Sequence, residues 1–106
     1  MKVLLDECVP KALRTTLAGF ETRTAQQMGW DAVKNGPLLA LAERDGFGVF
    51  VTSDKHLRYQ QNLSSRQIGI IELPTNRLSA VRKPGPQVIE ALSKIKPGDY
   101  ITIKMP

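Results

Sequence analysis

Cysteine is almost missing from this chain: Cys8 stands alone among 106 residues, which excludes an internal disulfide. It follows Asp6 and Glu7, an acidic setting that disfavours a reactive thiolate, so Cys8 reads as a small semi-buried filler. Histidine is equally scarce, and one Cys with one His, His56, leaves no ligand set for zinc. A histidine-assisted nucleophile would need Ser53 or Cys8 beside His56, and neither lies in a nucleophile-elbow context. No apolar run approaches the roughly 20 residues that span a bilayer, so no membrane role is expected. The opening MKVLLDECVP meets charge too early for a signal peptide, which points to a cytoplasmic protein. Gly46-Phe47-Gly48 is too short for a phosphate-cradling loop and precedes a strand instead of following one. Internal repeats and low-complexity tracts are absent as well.

What remains is a chain of single-domain size, residues 1–106, whose 42% hydrophobic content is enough to bury one core. Its net charge of +5 is unevenly placed. Residues 1–53 carry six Lys/Arg against six Asp/Glu, whereas residues 54–106 carry nine against four. Lys55, Arg58, Arg66, Arg77, Arg82 and Lys83 dominate the excess. Such a surface raises the local concentration of a polyanion such as RNA, although an ordinary solvated basic face has the same composition.

Strand and helix patterns alternate along the chain. Lys2-Val3-Leu4-Leu5-Asp6 is an apolar run without alternation, as in a central strand buried on both faces. Pro10 opens a helix through Leu13 and Leu17 that Gly19 stops, and Phe20 to Ala25 reads as a second strand. Ala25 to Gly36 is a loop or a helical turn. Pro37 to Asp45 is the clearest helix, with Leu38, Leu41 and Ala42 on one face and Gly46 closing it. Gly48 to Thr52 is another buried strand, followed by a helix through Leu57 and Leu63 that Ser53 and Asp54 can cap. Gln67 to Leu73 is a third buried run. A helix start near Leu78 is interrupted at Pro84-Gly85-Pro86, after which Val88, Leu92 and Ile95 share a face. Pro97-Gly98 is a turn, and Tyr100 to Lys104 alternates as an edge strand does. The order predicts an α/β fold with a mostly parallel central sheet and helices on both faces.

In open parallel sheets the functional crevice lies beyond the carboxyl ends of the strands. Asp6, Glu7 and Asp54 all fall there. Acids that converge from separate strands repel one another unless a cation compensates, and Mg²⁺ or Mn²⁺ suits oxygen ligands shared with a substrate phosphate. Such an ion can polarise a phosphodiester while Lys55 or Arg58 holds a nucleic-acid backbone. The competing structural use for Asp54 is helix capping, and for Asp6 it is the plain end of a strand. Trp30 and Tyr59 fit either the core or an exposed partner surface.

LLDECVP, MGW followed by KNGPLLALAERDGF, VFVTSDKHLRYQQNL and the later TNRL together resemble the short bacterial PIN-like proteins of the toxin type. The resemblance covers nearly the whole chain. It implies a three-layer α/β/α sandwich and a Mg²⁺- or Mn²⁺-dependent ribonuclease with a cluster of three or four acids. The implied partners are RNA and a cognate antitoxin protein; whether a second copy of the chain is a partner is left open by the sequence. Asp6 matches the first-strand acid and Asp54 the acid after the third strand. A nuclease built on them would take Glu7 and Asn76 as further metal ligands and Lys55, Arg58 and Arg77 as phosphate contacts. Pro37 departs from the pattern, because relatives usually carry an acid where the NGxLL helix opens. Glu43 and Asp45 lie further along that helix and are poor substitutes. Asn76 stands where a fourth acid would follow the Gln67–Leu73 strand, so the site is acid-depleted.

Two other readings compete. One is a catalytically degenerate PIN-like module that binds nucleic acid or protein. The other is a phospho-acceptor receiver domain, suggested by the paired acids after strand one, an acid at position 54 and a lysine in the last strand. Its hydroxyl after the fourth strand has only Thr75 as counterpart, and Asp54 is followed by Lys-His-Leu instead of a proline-containing turn.

Overall fold

The computed structural model of the chain describes residues 2–6, 9, 13, 17, 19–30, 32–33, 35–53, 67–74 and 85–103. They form β1 (Lys2–Leu5), β2 (Glu21–Thr24), α1 (Asn35–Arg44), β3 (Val49–Thr52), β4 (Gly69–Glu72), α2 (Gly85–Lys94) and β5 (Tyr100–Thr102). The five strands make one sheet in the order β2-β1-β3-β4-β5, and every pairing is parallel. The expected α/β architecture is therefore present. The capping helix expected through Leu57 and Leu63, and the helix start near Leu78, lie outside the described residues.

Central and edge strands differ in composition for a physical reason. β3 (VFVT) and β4 (GIIE) are buried at every position, since both of their faces are covered and both of their edges are paired. β2 (ETRT) lies at one edge and alternates exposed Glu21 and Arg23 with buried Thr22 and Thr24. β5 closes the other edge.

Two apolar clusters flank the sheet. Val3, Leu5, Val49, Val51, Ile71 and Ile103 pack with Val88, Ala91 and Leu92 of α2, and with Leu13 and Leu17. Leu4, Phe50 and Ile70 pack on the opposite face with Leu38, Leu39 and Ala42 of α1. The buried stripe of α1 thus includes Leu39 instead of Leu41, which is only half-buried. The i, i+4 spacing of Leu13 and Leu17 is realised in a Leu17 N–H bond to the Leu13 carbonyl (3.0 Å).

Helix α1 ends as its sequence dictates. Gly46 adopts φ +86°, its N–H reaches the Glu43 carbonyl, and the Phe47 N–H reaches the Ala42 carbonyl at 2.9 Å. This paired closure satisfies carbonyls the helix would otherwise leave open, and only glycine adopts that backbone conformation without cost. The same closure turns Phe47 into the cluster beneath α1, where Trp30 meets its ring edge-on at 6.0 Å. Trp30 is half-buried, so its role is packing at the core rim.

Candidate functional site

Strand order reverses between β1 and β3: the chain runs outward from β1 to β2, then returns past β1 to β3, β4 and β5. Parallel sheets open a crevice beyond the carboxyl ends of the strands at such a point. Asp6 sits at that end of β1. Its N–H donates to the Val51 carbonyl (2.9 Å), and its carbonyl accepts from the Val9 N–H (3.0 Å). Its carboxylate Oδ2 accepts a 2.7 Å hydrogen bond from Thr52 Oγ1, the last residue of β3. Backbone and side chain are thus both pinned, while Asp6 remains partly exposed.

The register carries this row further across the sheet. Thr52 pairs with Glu72, and Glu72 with Thr102. Side chains alternate along a strand, so Asp6, Thr52, Glu72 and Thr102 project to the face that holds Leu4, Phe50, Ile70 and Tyr100, the face covered by α1. Thr52 is fully buried and Glu72 is 3% exposed. The Tyr100 hydroxyl donates to Glu72 Oε1. Strand spacing puts the Asp6 and Glu72 backbones roughly 10 Å apart, with Thr52 between them.

Of the residues singled out from sequence, Asp6 holds the expected place, at the end of a strand paired with the strand that leads to position 54. Glu7, Asp54, Lys55, Arg58, Asn76 and Arg77 lie outside the described residues. Pro37 is exposed in the first turn of α1, a turn that contains no acid. Glu43 does not replace that acid: its Oε2 accepts from the Gln67 N–H (2.9 Å), at the end of the sheet where β4 begins. Asp45 lies at that same end, where its carbonyl accepts from Lys2 Nζ (2.9 Å). Glu72 was missed by sequence reasoning, although an acid closing the apolar run IGIIE is its visible signal.

The donors in this row are carboxylate and hydroxyl oxygens, a hard set of the kind that suits Mg²⁺ or Mn²⁺. Among the described residues no three His, Cys, Asp or Glu side chains cluster as a ready-made metal cage, and no buried side-chain polar atom lacks a partner. A groove of about 240 Å³ lined by Gln87, Glu90, Ala91, Lys94, Ile101 and Ile103 lies between α2 and β5, on the face of the sheet opposite to Asp6. No helix among the described residues is long and apolar enough to cross a membrane. No family model, curated protein or solved structure matches the chain.

Proposed function

We propose that this chain is a Mg²⁺- or Mn²⁺-dependent ribonuclease of the PIN-like type, built as an α/β/α sandwich, with Asp6 and Asp54 as its principal acids. The observation that carries this reading is the Asp6 carboxylate, held by Thr52 at the switch point of an all-parallel sheet. Asp6 and Asp54 would hold the ion, with Glu7 and Asn76 as further oxygen donors. When bound, the ion would polarise a phosphodiester and lower the pKa of a water. Thr52 fixes the orientation of the Asp6 carboxylate, and hydrogen bonds to ionised groups contribute about 1.5–3 kcal/mol. Lys55, Arg58 and Arg77 would bind the RNA backbone as phosphate contacts. An antitoxin protein is the partner proposed to restrain the activity.

The test is cleavage of a mixed-sequence RNA by the purified chain. Mg²⁺- or Mn²⁺-stimulated cleavage that Asp6→Asn abolishes supports the reading. No cleavage with any divalent ion, or equal cleavage by the variant, rejects it.

A degenerate PIN-like binding module is favoured instead by the first turn of α1, which holds Pro37 and no acid. Under that reading the chain binds RNA without cutting it. The receiver reading gains from the strand order, which doubly wound receivers share. Its hydroxyl candidate after β4, Thr75, lies outside the described residues. Stable labelling of Asp54 by acetyl phosphate would decide in its favour.

A further inference from the structure

Among the described residues Glu72 is the one buried ionisable side chain. β4 is otherwise Gly69, Ile70 and Ile71, and an apolar residue at position 72 would complete a strand buried on both faces at lower cost than a carboxyl group. Departures from local rules of this kind concentrate at functional sites. The carboxyl is held in place, not merely enclosed, because the Tyr100 hydroxyl donates to Oε1. Tyr100 stands in register with Ile70 on the neighbouring strand, so it reaches Glu72 along the same face. Glu72 is in turn the direct register partner of Thr52, whose hydroxyl proton is committed to Asp6. A hydroxyl has one proton to give, so Thr52 cannot also donate to Glu72. Two acidic groups therefore share one row and one face of the sheet, each fixed by a different hydroxyl.

We propose that Glu72, oriented by Tyr100, is a positioning residue of the cation site, setting the field in which Asp6 holds a divalent ion. This rests on the metal-dependent reading above. Glu72 acts through charge across a backbone separation of roughly 10 Å, not by ligation. At that distance a charge on Glu72 would change the affinity for a divalent ion about fourfold through a water-like dielectric, and by more through a lower one.

The experiment is Mn²⁺ titration of the whole chain by calorimetry, comparing wild type, Glu72→Gln, Glu72→Asp and Glu72→Met, each checked for folding by circular dichroism. Gln keeps the shape and an acceptor for Tyr100 but removes the charge; Asp keeps the charge and shortens the arm. The proposal expects Glu72→Gln to bind Mn²⁺ at least about fourfold more weakly and Glu72→Asp to stay within about twofold of wild type. A purely structural Glu72 gives the reverse pattern, with Gln tolerated and Asp destabilising, and wild-type affinity in Glu72→Gln overturns the proposal. If Glu72→Gln does not fold, Glu72→Met decides: Mn²⁺ binding weakened at least about fourfold supports the proposal and unchanged binding overturns it. Wild-type protein that binds no Mn²⁺ rejects the metal-dependent reading and this inference with it. Wild-type binding that is indifferent to position 72 rejects the inference alone.

Discussion

Thr52 Oγ1 lies 2.7 Å from Asp6 Oδ2, joining the ends of two adjacent parallel strands across 46 residues of chain. Thr52 is fully buried and Asp6 is not, so the contact ties a core strand to the partly exposed end of β1. Thr52→Val keeps the shape and removes the donor. It should cost about 1–3 kcal/mol in urea denaturation, because it leaves the Asp6 oxygen short of a partner. It should also weaken Mn²⁺ binding, whereas Thr52→Ser restores both. Equal stability and affinity in all three proteins would show that the hydroxyl is incidental.

Pro37 marks the place where charge is missing from the first turn of α1. Pro37→Glu adds a carboxylate there, and acids are favoured in a helix's first turn by about 0.3–1 kcal/mol. Proline at this position also pre-orders the backbone, which offsets the gain. Stability should therefore change little, while calorimetry should record tighter Mg²⁺ or Mn²⁺ binding. Unchanged metal affinity would mean that the start of α1 does not face the ion.

Gly69 opens β4 against the segment that follows α2. A Cβ built there falls 2.7 Å from both Ile95 Cδ1 and Ile95 Cγ1, and 3.2 Å from the Lys96 carbonyl oxygen. Gly69→Ala should destabilise the fold by about 1–3 kcal/mol, the usual cost of overpacking. A melting temperature equal to wild type would indicate that Ile95 moves aside freely.

Glu90 and Lys94 pair at 2.8 Å on the exposed side of α2. The hydrogen bond from Lys94, reinforced by its charge, holds the Glu90 carboxyl below its ordinary value. A group whose pKa is depressed on folding adds stability above its unfolded pKa and loses it as pH falls through the folded one. Glu90→Gln should therefore match wild type at the acid end of that window and differ only slightly above it, with the difference shrinking in salt. A large loss of stability at neutral pH would assign Glu90 a role beyond this surface pair.

Much of the scaffold was legible because burial writes itself into strand composition. The unalternating runs around Leu4, Phe50 and Ile70 became the three central strands, and the alternation at Tyr100 to Thr102 became an edge. Gly46 ended α1 as expected, since few residues other than glycine accept φ +86°. Helix α1 began at Asn35, two residues before Pro37, because proline is tolerated throughout a first turn whose N–H groups need no helical partner. The site was only half legible. Asp6 announced itself at the end of a strand, but strand order is invisible to periodicity, so the alignment of Thr52 between Asp6 and Glu72 emerged only from the register. Glu72 was hidden by its surroundings: an acid within an apolar run reads as the end of a strand until Tyr100, 28 residues later, is found against it.

The central claim is that Asp6 anchors a divalent cation in the crevice at the switch point. Calorimetric titration of wild type and Asp6→Asn with Mn²⁺ tests it most directly, since Asn keeps the shape and the acceptor for Thr52 while removing the charge. The account predicts saturable binding to wild type and at least about a tenfold loss in the variant, equivalent to roughly 1.4 kcal/mol. Equal binding by the two proteins, or none by wild type, would contradict it.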